Sequence, residues 1–273
     1  MKLLKHFAPL ALALAAMLAT PSRAADYAPT VGLQTWTCRG MKFEQVVEFA
    51  TQHHLKYLEM TAAHFDPAGS PEETKRKKAI LDEKGLVFYS FGVAGTSTDK
   101  EKNRKLFEFA KLMGMKVIIV EPKNMAEWDN LEELVKEYDI KLAIHNHGRG
   151  SAYGDPATVK EVLAKRDRRI GVCLDVGWVT SAGFDAAKVF AGYEGRVYDI
   201  HLKDKKVEKV DGKDVLLDVM VGTGAANYKG LLAELKKAKW DGVMAIETDN
   251  AGYAKEPTEF VAGAVKFIKE NRP

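Results

Sequence analysis

The sequence predicts an α/β protein built as a single (β/α)8 TIM barrel, and three observations lead there. Eight short runs rich in β-branched and aromatic residues alternate with helical periods. The first seven runs start 24 to 30 residues apart, the length of a strand plus its crossover helix. Residues 25–273, left once an N-terminal leader is set aside, match the ~250 residues of one such barrel. The whole chain of 273 residues is 46% hydrophobic and 29% charged with two cysteines, which excludes disordered, collagen-like and disulfide-scaffold classes.

The leader, residues 1–24, reads as a cleavable secretory signal peptide. Lys2 and Lys5 precede an apolar stretch from Phe7 to Thr20, and Ser22 and Ala24 take the small-residue places before the cut. The stretch is shorter than the ~20 residues a bilayer span needs and contains Pro9. A periplasmic or secreted protein is expected, with no membrane association after cleavage. Lys2, Lys5 and Arg23 account for the formal charge of +3, so the mature chain is near neutral and lacks the basic footprint of a nucleic-acid partner.

The strands are expected at 31–37, 57–65, 87–94, 117–122, 141–148, 170–178, 197–204 and 243–250. Several are almost continuously apolar, as strands buried on both faces must be. Between them, Phe43, Val46, Val47 and Ala50 form one helical face, and Leu106, Phe109, Ala110 and Met113 another, closed by Gly114. Ser70-Pro71-Glu72-Glu73 and Asp155-Pro156 are helix starts, the second leading to an inward face of Val159, Val162 and Leu163. An open doubly wound sheet would need a phosphate fingerprint after its first strand, and none is present. After the seventh strand the spacing lengthens. Residues 207–210 and 215–219 flank Asp211-Gly212, a hairpin signal. A hairpin there is placed to act as a lid, as a contact between two copies in a homodimer, or as a decoration without a role.

In such a barrel the reacting groups project from the C-terminal ends of the strands. Glu121 ends the fourth strand, His145 and His147 the fifth, Asp175 the sixth, His201 and Lys203 the seventh, and Glu247 the eighth. Residues 145 and 147, like 201 and 203, are two apart and are expected to face the same way. Singly, each reads more readily as a hydrogen-bonded core group or a helix cap than as a functional one. Together, carboxylates and imidazoles in one layer repel or go unsatisfied unless a cation joins them, which favours one divalent metal ion. Gln34, Trp36 and Glu59 on the first two strands, and Trp178 beyond Asp175, complete a rim suited to binding substrate; for the tryptophans, barrel packing is the competing reading.

Strand ends reading E-P, H-N-H-G, L-D-x-G, H-L-K-D and I-E resemble the sugar phosphate isomerase/epimerase family of xylose isomerase-like barrels, relatives of D-tagatose 3-epimerase and hydroxypyruvate isomerase. The resemblance runs strand by strand over nearly the whole mature chain. It implies a divalent ion (Mn, Mg, Co or Zn) held by groups after strands five to eight, with Asp175, His201 and Glu247 on three of the four positions. His145 stands where relatives carry a glutamate, and Trp178 where many carry a histidine. The resemblance further implies proton transfer next to a carbonyl of a carbohydrate through an enediolate. Glu247 and Glu121 would be the proton-transfer groups, Glu121 alternatively a ligand, with His147 and Lys203 binding hydroxyls or the oxyanion. Export points to an unphosphorylated sugar or keto-sugar. The same chemistry on a 3-keto-glycoside expels the aglycone, so a lyase or hydrolase stands beside isomerase and epimerase. A non-catalytic sugar-binding barrel is the reading from another class. A nuclease like the remoter relative endonuclease IV is disfavoured by the neutral charge.

Gly222-Thr223-Gly224 reads as a turn ahead of a phosphate site. Cys38 and Cys173, on strands one and six, are expected to be free buried thiols, too far apart to bridge.

Overall fold

The computed structural model describes residues 27–273. The leader expected at 1–24 lies outside the described residues. Eight parallel strands close on themselves: β1 (Thr30–Gln34), β2 (Tyr57–Met60), β3 (Val87–Ala94), β4 (Val117–Val120), β5 (Lys141–His145), β6 (Ile170–Asp175), β7 (Val197–Leu202) and, last in the chain, β10 (Val243–Ile246). Closure is made by β1 between β10 and β2, with Gly32 opposite Ala245 on one side and Tyr57 on the other. A Cβ on Gly32 would lie 2.6 Å from Val243 Cγ1 and 2.7 Å from the Tyr57 carbonyl oxygen, so only glycine lets the three strands meet.

β3 ends at Ala94 as the sequence pattern suggests, and the other seven strands end earlier, because chain leaving the barrel mouth keeps its apolar character while losing ladder hydrogen bonds. Residues Thr35–Cys38 form a 3-10 turn instead of extending β1. Helices α1 (Phe43–Gln52), α2 (Pro71–Glu83), α3 (Lys100–Met113), α4 (Glu127–Tyr138), α5 (Pro156–Ala164), α6 (Val176–Ser181), α7 (Ala186–Gly192), α8 (Tyr228–Ala238), α9 (Ala251–Lys255) and α10 (Pro257–Glu270) connect them. The start signals work as read. Ser70 Oγ accepts the Glu73 amide at 3.2 Å ahead of α2, Asp155 accepts the Ala157 amide at 2.8 Å ahead of α5, and Gly114 ends α3 in the left-handed region.

Strand parity sorts the core. Ile118, Val120, Leu142, Ile144, Val172, Leu174, Ile200 and Ile246 face the helices in the main hydrophobic cluster. Val117, Ile119, Ala143 and Cys173 fill a separate small cluster inside the barrel, braced by Tyr89 and Tyr198. Two residues on, the same inward parity reaches Glu121, His145 and Asp175. Both cysteines are buried and free.

The insertion after β7 is an antiparallel hairpin, β8 (Asp204–Val210) with β9 (Lys213–Val219). Asp211 and Gly212 form its two-residue turn with φ of 48° and 76°, the mirror-image turn that Asp-Gly favours. The Gly222-Thr223-Gly224 segment is a turn whose amides are already taken. Asp204 accepts from Gly222 and Ala226 at 3.0 and 3.2 Å and from Gly224 at 2.9 Å.

Candidate active site

Asp175 is fixed by three hydrogen bonds, to Trp178 and Asn146, before any ligand arrives. Its Oδ1 accepts the Trp178 amide at 2.8 Å at the start of α6, and Asn146 on the loop after β5 brackets its backbone amide and carbonyl at 3.0 and 3.1 Å. The free Oδ2 points into the barrel mouth and accepts no hydrogen bond. There it lies 3.6 Å from His145 Nε2 and 3.5 Å from His201 Nδ1, while those two nitrogens are 3.2 Å apart. Glu247 Oε2, against the Lys203 ammonium, is 3.7 Å from His201 Nδ1.

A tetrahedral ion bound at ~2.1 Å holds its donors about 3.4 Å from one another. The His145, Asp175 and His201 atoms have that spacing, and the orphaned Asp175 oxygen is the group such an ion would satisfy. The residues therefore fit a divalent cation held by three protein donors with Glu247 beside it.

His201 is oriented from behind. Its Nε2 lies 3.0 and 3.1 Å from the two oxygens of Glu59, which also accepts from Gln34 Nε2 at 3.1 Å. Glu59 is 1% exposed and does not line the cavity, so the substrate contact expected of it is replaced by a supporting role. Burial alone would lower the His201 imidazole, but the groups facing it, Cys173, Glu59 and Asp175, outweigh burial and hold it well above the usual range. Burial keeps the Cys173 thiol itself high and therefore neutral, so the two carboxylates carry the effect. Burial pushes His145 down to about 4, leaving its ring neutral with a lone pair to give. Under this layer, Ser90 Oγ donates to Asp199 at 2.8 Å, and burial holds the Asp199 carboxyl well above its ordinary range.

Lys203 and His147 lie just past the ends of β7 and β5, not on the strands. His145 and His147 still face the same cavity, their ring centroids 4.5 Å apart. The His145 side chain is 4% exposed and that of His147 41%. His147 Nδ1 pairs with Glu121 Oε2 at 2.8 Å, which raises the imidazole above its ordinary value. Lys203 is buried among carboxylates: its Nζ contacts Glu247 Oε2, lies 3.2 Å from Asp175 Oδ2, and donates to Asp249 Oδ2 at 2.8 Å. Burial works against its charge, and those carboxylates outweigh it. Burial pushes the Glu247 carboxyl up to about 7.

Sequence reading did not single out Asn146, Lys205, Asp218 or Asp249. Lys205 and Asp218 at the root of the hairpin are ion-paired and buried, and Asp218 Oδ2 accepts from Thr248 Oγ1 and the Asp249 amide at 3.0 and 2.6 Å. The Lys205 ammonium stands 3.8 Å over the Trp178 ring. No spacing rule links residues 205 and 218 to 249. Only Asp218, a charge within the apolar run 215–221, carried a local signal.

Above the donors lies a cavity of about 340 Å³, in the range that takes a small molecule. Gln34, Trp36, Trp178, His145, His147, His201, Lys203, Glu247 and Asp249 all line it. Trp36, on the 3-10 turn, is 41% exposed there.

The model of the xylose isomerase-like TIM barrel family matches residues 44–271. The chain belongs to that family. Within the xylose isomerase-like barrels it is similar to an inosose dehydratase of Clostridium perfringens, 26% identical over 244 residues that cover 73% of this chain and 82% of the relative. A solved structure from Parabacteroides distasonis, described as a putative uncharacterized protein, shares 27% identity with a TM-score of 0.68 over 88% of this chain and 98% of its own. A D-tagatose 3-epimerase-like protein superposes with a TM-score of 0.66 at 18% identity, over 88% of this chain and 98% of that one, a likeness of fold alone.

Proposed function

We propose that the protein is an enzyme that removes the proton beside the carbonyl of an unphosphorylated keto-sugar or keto-polyol and then expels the group on the next carbon. The observation that carries this reading is the unequal pair in one cavity. Glu247 is a buried carboxyl whose burial raises its proton affinity, with Oε2 against the Lys203 ammonium, and His147 is an imidazole whose proton affinity is raised by its pairing with Glu121. One suits a base and the other an acid. Likeness to inosose dehydratases, whose name describes loss of water from a keto-polyol, supports it.

A divalent ion (Mn, Mg, Co or Zn) held by His145, Asp175 and His201 would supply Lewis-acid polarisation of the carbonyl. Glu247 takes the proton from the carbon next to the carbonyl, and the electron pair moves onto the carbonyl oxygen. The Lys203 ammonium, fixed by Asp249, stands ready for that developing charge. As the pair returns, the carbon–oxygen bond one carbon further breaks, and His147 protonates the departing oxygen. The product is an unsaturated ketone together with water or an alcohol.

Isomerisation or epimerisation is the second reading, in which the enolate is reprotonated on carbon. Epimerisation would need a second proton carrier for the opposite face. Glu121, the carboxylate proposed for that task from the sequence, is engaged with His147 instead, which is why elimination ranks first. The test is to incubate the purified, metal-supplemented protein with a 3-keto-glucoside in deuterium oxide. Free aglycone supports elimination. An intact glycoside carrying deuterium or inverted configuration supports the second reading, and neither outcome leaves a binding protein.

A further inference from the structure

On the β2–β3 side of the candidate active site a second cavity of about 320 Å³ opens, and it shares two walls with the first, Ala62 and Val93. Phe91 and Leu106 are buried beneath it, and Pro67 and Ala68, on the loop after β2, form its outer side. Val93 stands between the two cavities with 41% of its surface exposed.

The two cavities differ in chemistry. The first is rimmed by imidazoles, a lysine and carboxylates. The second has no carboxylate among its lining residues, and its charged groups are Lys102 and Lys105 on α3. Their neighbours Lys100 and Arg104 are ion-paired, to Glu133 and to Glu101 and Glu137, while Lys102 and Lys105 pair with no carboxylate among the described residues. Asp66, close by in sequence, has an oxygen turned back to the Ala68 amide at 2.8 Å.

We propose that this groove is a subsite for the apolar, carboxylate-bearing part of the substrate, so that the enzyme acts on keto-glycosides whose aglycone is an apolar acid. The polyol end lies over the donors, the apolar body crosses Val93, and the carboxylate reaches Lys102 and Lys105. This rests on the reading of the first cavity as a keto-sugar site.

The direct probe is 2-naphthoate, an apolar carboxylate with no sugar, titrated calorimetrically into the full-length mature chain. It is expected to bind saturably. Ala68→Trp fills the groove from an exposed loop position, away from the donors, and is expected to abolish that binding. Lys102→Glu combined with Lys105→Glu is expected to weaken 2-naphthoate at least about tenfold while leaving uncharged 2-naphthol unchanged. Absence of saturable binding, or binding that survives Ala68→Trp, overturns the subsite. An unchanged affinity in the double lysine variant overturns its preference for acids. Turnover of a methyl 3-keto-glucoside, which does not reach the groove, reports separately on the first cavity and is expected to be the same in Ala68→Trp. Naphthoate binding without any turnover would keep the subsite and remove the reaction, and turnover without naphthoate binding would do the reverse.

Discussion

Glu59 on β2 holds His201 on β7 across the barrel interior, the imidazole Nε2 lying 3.0 and 3.1 Å from both carboxylate oxygens. With a proton kept on Nε2, Nδ1 is the nitrogen turned toward Asp175 and His145, and it is the one that would give up its proton to a bound cation. Glu59→Gln preserves shape but weakens that control. The expected result is a loss of roughly 10–100-fold in affinity for Mn or Zn in a calorimetric titration. An unchanged affinity would show that Glu59 serves only the packing of the barrel.

Glu247→Gln removes the base without removing volume. Product formation and incorporation of solvent deuterium are both expected to fall by about 100-fold or more, with the melting temperature kept. Retained deuterium incorporation would move the base elsewhere in the cavity.

The acid is separable from the base. In His147→Ala, elimination is expected to slow by about 100-fold or more while deuterium exchange at the carbon beside the carbonyl continues. Glu121→Gln should act in the same direction and more weakly, because it lowers the charge on His147 without removing the ring. Equal loss of both processes in His147→Ala would make His147 a binding group.

His64 is expected to subtract stability on the acid side. His64 donates from Nε2 to the carbonyls of Cys38 and Met41 at 3.1 Å each, and burial lowers its imidazole below the ordinary 6.5. Between those two values the unfolded chain binds a proton that the folded chain does not. The contribution is therefore full above about pH 6.5 and lost as the pH drops through the folded value. His145, pushed down to about 4 by burial, acts with the same sign. His64→Gln should narrow the gap between melting temperatures measured at ~pH 7.5 and ~pH 5.5; an unaltered gap rules His64 out as a contributor.

Asp204 ties the end of β7 to the turn before α8 by accepting four backbone amides, those of Lys205, Gly222, Gly224 and Ala226. Asp204→Ala is expected to cost about 2–4 kcal/mol in chemical denaturation. A loss of a few tenths would mean that water replaces the carboxylate.

The barrel was legible because both of its signals are local: short apolar, β-branched runs in the strands and capped helices between them. The donors at 145, 175 and 201 were legible for the same reason, being charged or imidazole residues at inward parity in apolar strands. Lys203 and His147 lie one step past the strand ends and still face the cavity that His201 and His145 face, but their pairing with Asp249 and Glu121 was not legible, because it depends on the tertiary fold. Glu59 was legible as an inward carboxylate. Its partner was not, since β2 and β7 are distant in sequence and are not neighbours in the sheet.

The hairpin after β7 has its root in the cavity wall, not on the surface. Lys205 and Asp218, opposite each other in the hairpin register, hold the Trp178 ring from one side and the segment bearing Asp249 from the other. The last βα loop of this barrel is thereby moulded by an inserted segment. Trimming the insertion to a bare connection would unfasten the anchor of Lys203, and grafting it onto another barrel would carry part of an active site with it.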